Sequence, residues 1–159
     1  MQDEIVSKTR RKQEMHALQA LGAALVELAP SQLERIELPE ALAAAVREAQ
    51  RISSHEGRRR QLQYIGKLMR SVDADPIRAA LGELEGSAAA ARARHRRVEQ
   101  WRDRLLGDDA ALTEFAREYA NADLQALRTL IRNARREIAA QREPHAQRAL
   151  FRALRETCP

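Results

Sequence analysis

With 159 residues, 44% of them hydrophobic, the chain is long enough to bury a core without staples, and its single cysteine, Cys158, excludes an intrachain disulfide and a cysteine-based zinc site. The net charge is +5, and the basic side consists of 25 arginines against only Lys8, Lys12 and Lys67, which favours bidentate contacts to anions. An aromatic content of 3% argues against a base-stacking sheet or a large β core, and the chain has neither an 18-residue apolar run nor a secretory leader pattern, so a soluble cytoplasmic protein is expected.

A GC-rich genome would produce the same excess of arginine, so the placement of the arginines carries more weight than their number. Residues 1–6 read as a frayed tail. Over residues 7–28, Met15, Leu18, Leu21, Leu25 and Leu28 recur at helical spacing, and Pro30 closes the segment. Lys8, Arg10, Arg11 and Lys12 lie unfavourably at the positive end of that helix dipole, which points either to an external anion or to fraying. Ser31 and Glu34 have capping-box spacing and mark a short helical turn. Pro39 then fits a first helical position, with Glu40 in the first turn and an apolar stripe of Leu42, Val46, Ala49 and Ile52. Ser53 and Ser54 either cap a new helix or are crossed by a longer one.

Residues 56–70 (EGRRRQLQYIGKLMR) carry the main functional signal. On a helix turning about 100° per residue, Leu62, Ile65 and Met69 fall on one side while Arg59, Arg60, Gln63, Lys67 and Arg70 gather opposite. Guanidinium forks repeated every turn, about 5.4 Å apart, match the spacing of a phosphate backbone. A solvated face without a partner is the plain alternative for an isolated cluster of this kind. Tyr64 lies on the exposed edge beside Arg60, placed either to stack on an unpaired base or to be partly buried against a neighbouring helix. Arg58 stands in line with Leu62, so its stem is expected to pack and its head to reach out. Gly57 and Gly66 weaken this helix and suggest close packing.

Asp73, Asp75 and Pro76 form a stop and restart, with the aspartates read as caps. From there residues 76–106 read as one long spine helix with a seam of Ile77, Leu81, Leu84, Ala88, Ala91, His95 and Val98 that drifts to Trp101 and Leu105. His95 on that seam is expected to be a hydrogen-bonded core histidine, and Gly82 with Gly86 a packing contact. Arg92, Arg94, Arg96, Arg97, Arg102 and Arg104 point all round the spine and read as solvated. Gly107 fits the helix end and Asp108 or Asp109 the next cap, before a short helix with Leu112, Phe115 and Tyr119 on one side. Asn121 or Asp123 caps the following helix. Its buried face is Leu124, Leu127, Ile131, Ala134 and Ile138, and Arg128, Arg132, Arg135 and Arg136 occupy a sector of about 100° beside it. Pro144 starts the last helix, with Leu150, Phe151 and Leu154 inward and Arg148, Arg152 and Arg155 outward.

Nothing reads as a strand. The expectation is an all-α, multihelical fold of about five to seven helices forming two small helical subdomains around one long helix. Its divisions are a tail over 1–6, a subdomain with the basic helix over 7–75, the connecting helix over 76–106 and a second subdomain over 107–159. No catalytic set is visible: His55-Glu56 lacks the second histidine of a zinc-protease helix, no glycine-rich phosphate loop occurs, and His16, His55, His95 and His145 are scattered. No metal, cofactor or enzymatic activity is expected.

The segment 56–70, the Asp-Pro-Ile-Arg around Pro76 and the string LRTLIRNARRE over 127–137 together resemble the DarP/YjgA family of bacterial ribosome-associated proteins. The closing ALFRALRE over 149–156 is similar too, and the likeness runs in order over nearly the whole chain, although the N-terminal end looks shorter than that of longer, more acidic members. The resemblance implies an all-helical cytoplasmic factor that associates with late precursors of the large ribosomal subunit and promotes maturation of the peptidyl-transferase region. The expected partners are 23S rRNA within those precursors and other assembly factors, with no membrane, and the protein is expected to be a monomer. RNA contact is assigned to Arg59, Arg60, Gln63, Tyr64, Lys67 and Arg70 and to Arg128, Arg132, Arg135 and Arg136. The competing reading is a helical adaptor that binds an acidic protein through the same arginines.

Overall fold

The computed structural model describes residues 8–159, and the tail expected over 1–6 lies outside the described residues. Those residues form an all-α fold of eight helices with no strand among them: α1 (Lys8–Glu27), α2 (Pro30–Leu33), α3 (Glu40–Arg51), α4 (His55–Met69), α5 (Ala74–Gly107), α6 (Ala111–Glu118), α7 (Leu124–Ala139) and α8 (His145–Thr157). The one helix beyond the expected seven is the single turn α2. The chain divides into two compact units, the first ending at Gly86 and the second starting at Ser87, so the division falls inside α5.

In the first unit, α1 and α3 both pack on α4. Leu25, Val26, Leu42, Val46, Ala49, Ile65, Met69 and Ile77 make its core. Gly22 lets α1 approach α4, because a Cβ there would stand 2.7 Å from Ile65 Cγ2. Only the C-terminal half of α1 is buried in this way. Met15, placed inward by periodicity, is exposed: the apolar spacing runs on past the surface against which the helix packs. Gln50 Nε2 donates to Val26 O at 3.2 Å and Leu28 O at 2.9 Å, satisfying carbonyls that the end of α1 leaves without intrahelical donors.

Side-chain caps set the helix starts, at Ser54 and Asp73 as the sequence allowed, while α2 and α5 begin earlier than expected. The turn α2 begins at Pro30 and not after Ser31, with Gln32 Oε1 accepting from Ala29 N at 3.0 Å. Ser54 Oγ accepts from Gly57 N at 3.2 Å, so α3 and α4 are separate helices with extended backbone at Ile52 between them. Asp73 Oδ1 accepts from Asp75 N at 3.1 Å and starts α5 at Ala74, leaving Pro76 in a first turn where a missing N–H costs nothing.

The second unit holds Val98, Trp101, Leu105, Phe115, Leu127, Ile131, Leu150, Leu154 and Cys158 around a T-shaped contact of Trp101 and Phe115 with centroids 5.1 Å apart. Its principal packing is α7 on α8. The Glu137 carboxylate caps α8 from outside, accepting from Ala146 N at 2.7 Å and Gln147 N at 3.2 Å, because Pro144 has no side chain with which to do so. At the other end of α8, Arg94 donates to Cys158 O at 2.8 Å and Arg155 O at 2.6 Å, and Arg97 donates to Pro159 O at 3.1 Å. Of the spine arginines read as solvated, Arg94 thus caps α8 and Arg97 holds the residue that follows its cap.

Four further expectations fail along α5 and α7. His95 is exposed, not in the core, and Gly82 and Gly86 have nothing within 4 Å of a Cβ built on them. Between Leu84 and Val98 no residue of α5 is buried, so a seam that is continuous in sequence has no partner along its middle. Ile138 is exposed because α7 reaches its C-cap at Ala140, and Gln141 then turns left-handed (φ 51°) in a motif closed by Arg142 N to Glu137 O at 2.9 Å.

Candidate nucleic-acid interface

Two helices carry the candidate residues, one in each unit. On α4, Ile65 and Met69 are buried, Leu62 and Leu68 are half-buried, and Arg59, Arg60, Gln63, Tyr64, Lys67 and Arg70 are all exposed. The burial of one side fixes the rotation of the helix and turns the cationic side outward. Arg59 lies 2.9 Å from Glu56 in a pair that is more than half exposed at both ends, a contact worth at most about 1 kcal/mol and easily exchanged for another anion. Arg60, Lys67 and Arg70 have no carboxylate within 4 Å among the described residues. Arg58 does not share this freedom, for it pairs with Glu27 of α1 and ties that helix to α4. Tyr64 is 48% exposed, which places its ring on the outer edge.

On α7, Asp123 Oδ1 accepts from Ala126 N at 3.0 Å and starts the helix, and burial of Leu127, Ile131 and Ala134 sets its rotation. Arg128, Arg132 and Arg136 follow one another at intervals of four and stand exposed, again with no carboxylate within 4 Å among the described residues. Arg135, grouped with them by sequence, is different. Its Nε donates to Leu106 O at 3.0 Å, its Nη2 to Leu105 O at 2.9 Å and its Nη1 to Asp109 at 2.5 Å, so the guanidinium is occupied in closing the C-terminal end of α5. The three outward arginines border an open groove of about 580 Å³ lined also by Leu105, Leu112 and Ile131 and, at the Arg135 end, by Asp108 and Asp109. A row of cations beside apolar side chains suits a sugar-phosphate chain better than a small polar metabolite.

Other chemistry finds no centre here. Among the described residues no three of His, Cys, Asp and Glu are grouped to hold a metal, and no helix is long and apolar enough to cross a membrane. Cys158 is buried, and that burial pushes its thiol up, away from the thiolate a nucleophile requires. Lys8, Arg11 and Lys12 are exposed on α1, and Arg10 lies 3.5 Å from Glu14.

The family model for "Dual-action ribosomal maturation protein DarP" matches residues 4–155. The chain belongs to the DarP family. A DarP relative from Methylobacillus flagellatus is 53% identical over 152 residues, covering 96% of this chain and 84% of its own. DarP proteins of Nitrosomonas eutropha and Cupriavidus pinatubonensis are 50% and 49% identical over 96% of this chain, and are themselves covered to 87% and 77%. All three relatives bear the name of ribosomal maturation proteins. Within this DarP chain, local pattern found the outward arginines of α4 and α7 but not the separate employment of Arg58 and Arg135, whose partners lie 31 and 26 residues away in sequence.

Proposed function

We propose that the protein is a non-enzymatic, cytoplasmic assembly factor that binds 23S rRNA within late precursors of the large ribosomal subunit and promotes maturation of their peptidyl-transferase region. The name of its relatives supports the ribosomal part of this reading. The observation that carries the RNA part is two separate sets of exposed cations with no carboxylate within 4 Å among the described residues, Arg60, Lys67 and Arg70 on α4 and Arg128, Arg132 and Arg136 on α7, each held outward by a helix whose opposite side is buried. Rigid stripes of this kind bind phosphates by position and read RNA shape more than base identity. Arg59, Gln63 and Tyr64 extend the α4 surface, and Arg135 supports the α7 surface from behind. The protein acts as a monomer.

The test is co-sedimentation with large-subunit precursors, together with the salt dependence of binding to precursor RNA. Each phosphate contact contributes a slope of about 0.7 to 0.9 in log K against log salt, so Lys67→Glu combined with Arg132→Glu is expected to flatten the slope by about 1.4 to 1.8 and abolish co-sedimentation without change in helicity. Unchanged affinity in that variant removes the assigned surface. Association that survives ribonuclease assigns the same arginines to an acidic protein and overturns the RNA reading.

A further inference from the structure

The second unit has another open groove, distinct from the one beside α7, between α5 and α8. It is about 580 Å³ and is lined by His95, Glu99 and Arg102 from α5 and by Arg148, Phe151 and Arg152 from α8. That volume lies within the range of small-ligand sites. Phe151, expected to point inward, is only half-buried: part of its ring rests on the core and part faces the groove. The His95 ring meets it edge to face with centroids 5.5 Å apart, and the Arg102 guanidinium stands over it 5.9 Å from its centroid. Two stacked layers need about 7 Å at ordinary carbon contact distances, so a flat ring enters between guanidinium and phenyl when Arg102, which also holds the adjacent Asp103 at 2.9 Å, moves outward by about 1 Å.

The rim is as specific as the floor. Arg148 and Arg152 are one helical turn apart, exposed, and without a carboxylate within 4 Å among the described residues. Glu99 is half-buried at the groove wall, where its Oε1 lies 3.5 Å from His95 Nε2. An aromatic face, two cations one turn apart and one half-exposed carboxylate together fit a nucleotide: a ring to stack, phosphates to neutralise and a base edge to read. They fit an acidic peptide poorly, because it has no use for Glu99 and is repelled by it.

We infer that this groove binds one unpaired guanine nucleotide of an RNA strand, the base stacked on Phe151, its N1–H and N2 amine donating to the Glu99 carboxylate and the flanking phosphates held by Arg148 and Arg152. An ionised carboxylate only accepts, and the Watson–Crick edge of guanine presents two adjacent donors, whereas uracil flanks its single N–H with carbonyl oxygens. The inference rests on the RNA-binding reading above and adds a base-reading site to surfaces that otherwise read only backbone.

The experiment is fluorescence anisotropy of the full chain with the pentanucleotides UUGUU and UUUUU, run beside the co-sedimentation assay. UUGUU is expected to bind about tenfold more tightly than UUUUU, and Phe151→Leu to weaken UUGUU by about tenfold. Glu99→Gln, an isosteric change at a solvent-facing wall, is expected to erase the preference for guanine without weakening UUUUU. Equal binding of the two pentamers by the unaltered protein overturns the inference. So does unchanged UUGUU binding in both variants while Lys67→Glu with Arg132→Glu still abolishes association with precursors, a result that leaves the RNA reading standing without this groove. Guanine-selective binding without any association with precursors supports the groove and removes the ribosomal reading.

Discussion

Cys158 follows the last turn of α8 with its thiol out of solvent, beside the phenol of Tyr119. Burial raises the thiol from its ordinary 9.0, against lowering contributions from the Tyr119 hydrogen bond and Arg97, and burial likewise raises Tyr119 from its ordinary 10.0, helped by Glu118 and Cys158. In both groups the folded chain holds the proton more firmly than the unfolded chain. Their stabilisation is therefore complete below the unfolded pKa and is lost as pH rises, first as the thiol of the unfolded chain ionises and then as its phenol does. Urea midpoints read by Trp101 fluorescence are expected to be flat to about pH 9 and to fall above it, with the fall in Cys158→Ala delayed to about pH 10. Midpoints that stay level to about pH 11 in the unaltered protein would contradict this linkage. The position of Cys158 was plain from sequence and excluded a disulfide. Its burial was not, because the contacts that cover it come from residues some 40 to 60 positions away.

At the scale of one helix, α7 shows how a uniform sequence pattern divides into two functions. Arg132 and Arg135 lie in the same basic sector, yet Arg132 is exposed with no carboxylate near it while Arg135 donates to two carbonyls at the end of α5 and to Asp109. Removing Arg135 leaves partly buried acceptors without donors, so Arg135→Ala is expected to cost about 1 to 3 kcal/mol in urea denaturation. Arg132→Ala is expected to stay within about 0.5 kcal/mol while weakening RNA. If the two variants lose equal stability, the division drawn here between cap and surface is wrong. The apolar faces of α3, α4, α7 and α8 were legible because helical periodicity is local, and Ser54 and Asp123 were each one of the alternatives that local pattern offered as caps. The roles of Gln50, Arg94, Arg135 and Glu137 were not. Each satisfies a different helix end, those of α1 and α5 and both ends of α8, at separations from 9 to 64 residues, and a local pattern cannot show which helix end will be brought near.

For the molecule as a whole, the informative fact is that its two cores have no residue in common: one is built around Leu25, Val46, Ile65 and Met69, the other around Trp101, Phe115, Leu127 and Leu150. The only tryptophan belongs to the second core, so its fluorescence reports that core alone, while far-ultraviolet ellipticity reports every helix. Gly22 offers a way to disturb the first core by itself. A side chain there meets Ile65 Cγ2 at 2.7 Å, and Ile65 is fully buried and β-branched, with little rotamer freedom to move aside. Gly22→Val must therefore lift α1 from α4, an overpacking cost of about 1 to 3 kcal/mol. If each core is its own cooperative unit, the variant's ellipticity curve gains an early step at lower urea while the Trp101 midpoint stays where it was. A common shift of both probes would instead show that the two cores unfold as one block, and destabilisation at Gly22 would then reach the arginines of α7 as readily as those of α4.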